Sequence, residues 1–306
     1  MQINHNVRAM VTQHALYQNN NQMSKSLEKL STGLKINRAQ DDAAGLAMSE
    51  QMRTQIRGLG KAKQNAQDGM AALQIAEGGL AEITNIIQRQ RELAVQAAND
   101  TLTSTERKYL DDEFQELTKE IGRISKTTDY NGKNMLNWSS DENLSFGAAS
   151  TSTNKAASFT LHVGPNYSTG MGEKYGNEMN VTYSAMNAKV NTTGVWTVTI
   201  GTIGVSSLKV TSQTYATQAI DKLDDAVKSI SGTRAKIGTF INRLEYTVNN
   251  IANLEFNTQD AESRIRDTDF AKETTNFTRN QIMVQSATSM LAQANSLPQT
   301  VLGLLG

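Results

Sequence analysis

The side chains with the greatest potential for chemistry are few in this sequence and lie far apart. Asp41 and Asp42 are adjacent acidic residues, and the three histidines are His5, His14 and His162. Neighbouring positions on a helix point about 100° apart, so two consecutive carboxylates do not converge on one reacting atom. Because no histidine or glycine-rich phosphate loop lies near the two aspartates, we interpret them as capping groups or structural polar contacts.

Other patterns that support catalysis are missing from the sequence. The chain has no cysteine, which excludes disulfides, thiolate nucleophiles, cysteine-ligated zinc and iron–sulfur clusters. It contains no Gly-x-Gly-x-x-Gly, P-loop or His-Glu-x-x-His pattern, so nucleotide binding and the commonest zinc hydrolase plan have no support. We therefore predict no catalytic residues, no metal site and no cofactor, and a protein that is not an enzyme.

Charge and hydropathy exclude two further classes of partner. The 306 residues include 30 Lys or Arg and 30 Asp or Glu, so the net charge is zero and no basic field attracts nucleic acid or anionic lipid. No stretch approaches the roughly 20 apolar residues of a membrane span. The N-terminus lacks a charged segment followed by an apolar one, so we expect a cytosolic protein or one exported without a cleavable signal.

Both ends of the chain carry apolar residues at helical spacing. Steps of three and four residues predict a helix near each terminus, and we expect the two to pair. The apolar seam could be core within one chain or an interface between subunits, and its place at the extreme ends favours the interface. The predicted polymerisation seam comprises Val7, Met10, Leu27, Leu30, Leu34, Val284, Ala287, Leu291 and Ala294.

Three more helical patterns lie between the ends. Small and aliphatic residues recur at steps of three and four from Leu59 to Ala97, and a longer seam runs from Ile220 to Ile251 with Arg234 as its charged exception. Between them, Thr103 and Glu106 have the spacing of a capping box, which predicts a helix starting there. A tight turn is then expected at residues 130–133, Tyr-Asn-Gly-Lys.

Residues 139–215 have a different pattern, with many serines and threonines and short alternating runs such as residues 195–200. The sequence therefore predicts a mainly α protein with a small β-rich insert. Its long N- and C-terminal helices pair as a coiled coil or helical bundle, so that the helical domain is discontinuous in sequence. Composition alone suggests O-glycosylation around Ser150, Thr151, Ser152 and Thr153, and leaves open a carbohydrate-binding role for the insert.

One long segment closely resembles bacterial flagellin. Residues 30–47 read Leu-Ser-Thr-Gly-Leu-Lys-Ile-Asn-Arg-Ala-Gln-Asp-Asp-Ala-Ala-Gly-Leu-Ala. Further similar segments are residues 88–96, Tyr130-Asn131-Gly132, residues 263–273 and the C-terminal Val-Leu-Gly-Leu-Leu-Gly. The resemblance extends over residues 1–137 and 216–306, and the insert between them matches nothing that we can name.

The resemblance implies a structural subunit that is exported through the flagellar type III channel and polymerises outside the cell into the filament that propels swimming. Implied partners are further copies of the chain, the export apparatus, an export chaperone on the C-terminal helix, the filament cap and hook-associated proteins. An alternative from the same export system is a hook–filament junction protein, which shares the terminal motifs.

The resemblance also implies a layered domain organisation. Residues 1–40 and 261–306 would form the inner coiled coil that lines the filament lumen. The helical rod domain would comprise residues 41–138 and 216–260, and residues 139–215 would form the variable outer insert.

The segment that Toll-like receptor 5 recognises in this family maps onto Arg89, Leu93 and Glu113. Arg89 and Leu93 are four residues apart, so on a helix they share a face and could present a charge beside an apolar anchor. The same face could pack against neighbouring subunits, and the two roles are compatible.

Overall fold

A computed structural model describes residues 6–136, 156–165, 178–184, 186–190, 196–200, 203–204 and 208–305. The fold is mainly α with a small amount of strand, which confirms the predicted class. The helices are α1 (Val7–Thr32), α2 (Ala43–Ala97), α3 (Ser104–Thr127), α4 (Gln213–Arg266) and α5 (Phe270–Leu305). The strands are β1 (Asp129–Tyr130), β2 (Lys133–Asn134), β3 (Ala156–His162), β4 (Glu178–Ser184), β5 (Met186–Val190), β6 (Trp196–Ile200) and β7 (Ile203–Gly204).

The helix ends follow from local capping. The side chain of Asn6 accepts a hydrogen bond of 3.1 Å from the backbone of Ala9 at the start of α1, and Gly33 ends that helix with a φ of 71°. The capping box predicted at the start of α3 is confirmed, since Thr103 and Glu106 each bond to the other's backbone N–H. These side chains satisfy backbone groups that the helix itself leaves without partners.

Helix α2 buries a regular stripe that the sequence predicted almost completely. Its buried positions follow steps of three and four from Leu59 to Ala97, as expected for a helix packed against neighbours on one face. The stripe also passes through Gly69 and Gln90, two positions that are not apolar. Many of its members are alanines, which allow α3 and α4 to approach closely.

Helices α3 and α4 pack antiparallel to α2 around this stripe. In α4 the buried aliphatic residues recur every seven positions, at Leu223, Ile230, Ile237, Leu244 and Ile251. The small residues Ala219, Ala226 and Thr233, each four positions before one of these aliphatic residues, are buried as well. Ile220, Val227 and Ile241 also belong to the apolar seam predicted from Ile220 to Ile251, but they are only partly buried. The reason is that the packed face of α4 is centred closer to the small residues.

The tight turn after α3 has the geometry that its sequence predicts. Asn131 and Gly132 have φ values of 51° and 74°, and they connect the antiparallel strands β1 and β2. Positive φ at both central positions is the reason that Asn-Gly is favoured in such turns.

The insert contributes two small antiparallel sheets. Strands β3 and β4 pair with Phe159 opposite Val181, and β5, β6 and β7 form a sheet in that order. The first hairpin packs on α2, where the side-chain amide of Asn65 donates a hydrogen bond of 3.0 Å to the carbonyl of His162. The described strands agree with the prediction of a β-rich insert.

Contacts divide the chain into two compact units. One contains Met1–Ile56 and Phe256–Gly306, and the other contains Arg57–Glu255. In the first unit, α1 and α5 run antiparallel, with Asn6 hydrogen-bonded to the carbonyl of Ala294 at one end and Gly33 close to Phe270 at the other. Among the residues that the structure describes, no helix has both the length and the apolarity needed to cross a membrane.

Candidate interaction surfaces

Asp41 and Asp42 act as caps, as predicted. One carboxylate oxygen of Asp41 accepts from the backbone N–H groups of Asn37 and Arg38, and Asp42 accepts from Gly45 at 2.9 Å. The bond from Arg38 is the main reason that the pKa of Asp41 is lowered. The described ranges contain no cluster of three or more His, Cys, Asp or Glu placed to hold a metal ion.

Helix α1, which is paired with α5, has two different faces. The face towards α5 carries Ala9, Leu16, Met23, Ser26 and Leu30 at steps of seven or of three and four, all at least partly buried. Three residues of the sequence-predicted seam lie elsewhere: Val7, Met10 and Leu27 are 57%, 63% and 56% exposed. We call the exposed residues Val7, Met10, Val11, His14 and Tyr17 the outer stripe, since they share the side of α1 that faces away from α5.

The remaining residues of the predicted seam are less exposed. Leu30 and Leu34 are half-buried near the end of α1. On α5, Val284, Ala287 and Leu291 are half-buried and Ala294 is buried, as expected for the face that meets α1. Whether these residues also contribute to polymerisation stays a prediction.

Arg89 and Glu113 meet on the surface of the second unit. The guanidinium of Arg89 in α2 donates two hydrogen bonds, of 3.1 and 2.9 Å, to one carboxylate oxygen of Glu113 in α3. A third bond, of 3.2 Å, goes to Glu92 on its own helix. The pKa of Arg89 is raised by these carboxylates, first by Glu113 and then by Glu92. Both ends of the Arg89–Glu113 pair are about half exposed, so a partner can reach them.

Leu93 does not form the exposed anchor that its spacing from Arg89 suggested. Its side chain is only 1% exposed and belongs to the core between the helices. Residues four apart on a helix are separated by about 40° around its axis, which is enough to turn one towards solvent and the other towards α3 and α4. The expectation of a patch that presents Arg89 and Leu93 together is therefore corrected.

The residue beneath this surface was not identified from the sequence as functional. Gln90 is fully buried, and its amide nitrogen donates to the carbonyl of Phe114 at 3.2 Å and to the hydroxyl of Thr118 at 2.8 Å. A signal was present, because Gln90 occupies a core position of the α2 stripe where the other residues are small or aliphatic.

The residues proposed for O-glycosylation, Ser150, Thr151, Ser152 and Thr153, lie outside the described residues.

Comparison with known proteins identifies the class to which this helical arrangement belongs. Residues 3–141 match the bacterial flagellin N-terminal helical region, and residues 220–305 match the bacterial flagellin C-terminal helical region. The chain is 44% identical over 305 residues to a flagellin of Halalkalibacterium halodurans, covering 100% of both proteins. It is 43% identical over 306 residues to the flagellar filament 33 kDa core protein of Treponema phagedenis, again covering 100% of both.

A solved structure is also similar. The crystal structure of Bacillus cereus flagellin matches 61% of this chain and 88% of its own, with 26% identity and a TM-score of 0.38. On the matches to the two helical regions and to the full-length relatives, the chain belongs to the bacterial flagellin family.

Proposed function

We propose that the outer stripe of α1 joins copies of this chain in the bacterial flagellar filament. As a flagellin, the chain is a structural subunit of that filament and not an enzyme, and it works by assembling with itself as a part of the flagellum outside the cell. The full-length relatives are filament proteins, which favours the filament over the hook–filament junction.

The exposed apolar side chains of the outer stripe support this proposal. Met10 is 63% exposed and Tyr17 is 66% exposed, although α1 is already paired with α5. A paired helix gains nothing from a second apolar face unless another surface covers it. Further subunits supply such a surface in a filament, and the predicted seam residues Val7 and Met10 belong to this face.

A charge placed on the outer stripe tests the proposal. Met10→Glu should raise the critical concentration for polymerisation by at least about tenfold, since assembly would bury an unpaired carboxylate. The matched control is Gln22→Glu, which adds the same charge at an exposed position of α1 outside the stripe. Sedimentation of polymer gives the readout, and equal critical concentrations for the two variants would refute the role of the stripe.

The layered domain organisation extends the same proposal. The antiparallel pairing of α1 and α5 supports an inner coiled coil of residues 1–40 and 261–306. The shared core of α2, α3 and α4 supports a rod domain of residues 41–138 and 216–260. Residues 139–215 would form the outer insert, in which the described strands are β3 to β7.

The proposal also includes partners for export of the subunit and for capping of the filament. We assign the flagellar export apparatus, an export chaperone that binds the C-terminal helix, the filament cap and the hook-associated proteins as partners. The apolar side chains of Ile282 and Met290 are exposed on α5, which supports a chaperone that covers this helix before assembly. O-glycosylation at residues 150–153 is a separate proposal, and an intact mass of 33.4 kDa for the secreted protein would exclude it.

Recognition by Toll-like receptor 5 is a second proposed role, with Arg89 and Glu113 as the direct contacts. The accessible Arg89–Glu113 pair supports this role. Leu93 would contribute indirectly, because its packing in the core holds the surface of α2 in place. Arg89→Ala should weaken receptor activation about tenfold. The matched control is Arg91→Ala, which removes an exposed arginine on α2 that pairs with Asp224 on the other side. A response to Arg89→Ala equal to that of the parent would overturn this role.

A further inference from the structure

Gln90 places an amide at a core position between α2 and α3. Its nitrogen must face α3, because the Phe114 carbonyl can only accept a hydrogen bond. Thr118 accepts the second bond through its hydroxyl, which itself donates to the Phe114 carbonyl at 3.0 Å. The three groups form a closed buried network that crosses from one helix to the other.

The amide oxygen of Gln90 has no hydrogen-bond partner among the described residues. An unpaired buried carbonyl opposes folding, so an aliphatic residue would serve the core better if packing were the only requirement. The stripe of α2 has such residues on both sides of Gln90, at Ile87 and Ala94. The amide therefore has a role other than filling space.

The buried network and the Arg89–Glu113 pair connect α2 and α3 at the same height along the two helices. Arg89 bonds to Glu113, and the next residue of α2, Gln90, bonds to the next residue of α3, Phe114. The outer contact is exposed to water and salt, and Arg89 has Glu92 as a competing partner. The inner contact is shielded from both, so it can hold the helices in place while the surface pair exchanges partners.

We propose that Gln90 is a positioning residue that sets the register of α2 on α3 and thereby holds Arg89 opposite Glu113. A slip of one helical turn moves the helices by about 5.4 Å, which breaks both bonds of the amide and leaves it buried without partners. Polar groups at core positions of paired helices specify register in this way. The consequence for receptor binding rests on the receptor contact proposed above, whereas the effect on register does not.

The first test measures register directly. The chain has no cysteine, so Asn85→Cys and Glu116→Cys place two spin labels specifically on exposed sites of α2 and α3. With Gln90 present, one narrow distance distribution is expected. In Gln90→Met, which keeps the length and removes the amide, the distribution should broaden or gain a second peak.

Two variants make this test specific. Ile87→Met changes another fully buried residue of the same stripe without removing a polar group, and its distance distribution should match the parent. Thr118→Val removes one of the two bonds and should broaden the distribution less than Gln90→Met does. If Gln90→Met keeps the single narrow distribution of the parent, the positioning role is wrong.

The second test measures receptor affinity of the full chain. Gln90→Met should bind about threefold more weakly or worse, and adding Arg89→Ala should cost less than it does in the parent, because Arg89 is already misplaced. Full additivity of the two changes contradicts the link from Gln90 to Arg89. If Arg89→Ala alone has no effect, the receptor contact itself is wrong, and the spin-label distances still decide the role of Gln90.

Discussion

The guanidinium of Arg266, the last residue of α4, donates a hydrogen bond of 2.6 Å to the carboxylate of Glu50 in α2. The Arg266 side chain is only 11% exposed. Its carbonyl also accepts from the backbone of Lys35 at 2.6 Å, and Thr268 donates to the carbonyl of Gly33 at 2.9 Å. Side-chain and backbone contacts of Arg266 therefore hold together the segments that follow α1 and α4 in the first unit.

We expect this contact to make the stability of the first unit depend on pH. The pKa of Glu50 is lowered from its ordinary value of 4.5, first by the hydrogen bond from Arg266 and also by Arg53. A carboxyl whose pKa is lower in the folded state contributes stability above its unfolded pKa and loses it as the pH falls through the folded value. We expect Glu50→Gln to lower the melting temperature at about pH 7 and to reduce its fall below about pH 4.5.

Circular dichroism of the full chain across that pH range checks the expectation. The matched control is Glu92→Gln, which removes another exposed carboxylate that pairs with an arginine of α2 but lies in the second unit. If Glu50→Gln follows the parent at every pH, the Arg266 contact does not contribute to stability in solution.

Alanine substitution at two glycines of α2 should change the free energy of unfolding in opposite directions. A Cβ at Gly69 would overlap the Leu161 side chain of the β3–β4 hairpin, whereas a Cβ at Gly78 would meet nothing within 4 Å. Gly78→Ala should therefore stabilise the protein by up to about 1 kcal/mol through helix propensity. Gly69→Ala should be destabilising, because the Leu161 side chain must leave its packed position against α2.

Chemical unfolding of the two alanine variants measures this difference. An equal gain at both positions would mean that the hairpin does not pack on Gly69 in solution.

The capping box at the start of α3 offers a third prediction. Thr103→Ala removes the hydroxyl that accepts from the backbone of Glu106 and should cost about 1 kcal/mol of unfolding free energy. The pKa of Glu106 is lowered by the N–H and hydroxyl of Thr103, so this cap also weakens as the pH falls through that lowered value. Thr105→Ala, at an exposed position of the same turn, is the control in urea titrations, and a similar loss there would contradict the capping role.

The helical core could be predicted from sequence because small and aliphatic residues mark nearly every buried position of α2. The same rule did not predict that Gly69 and Gln90 are buried, since neither residue is apolar. Their spacing within the stripe was the signal that they are buried. What they contact could not be predicted, because the hairpin at Leu161 and the carbonyl of Phe114 are brought there by the tertiary fold.

The terminal helix α1 was harder to predict in detail. Apolar residues at Val7, Met10 and Tyr17 have the spacing of a packed face, yet the face against α5 is the one that carries Ala9, Leu16, Met23, Ser26 and Leu30. Periodicity identifies a helix with two usable faces and cannot say which of them a given partner covers. The Arg89–Glu113 pair likewise required the fold, which brings together residues 24 positions apart.

Electron microscopy of the protein at polymerising concentration tests the central claim, which is that the paired terminal helices drive assembly. The full chain should form long filaments, and a chain lacking residues 1–40 and 265–306 should remain unassembled with the core of α2, α3 and α4 still folded. Filaments of equal length and number from the shortened chain would contradict the account.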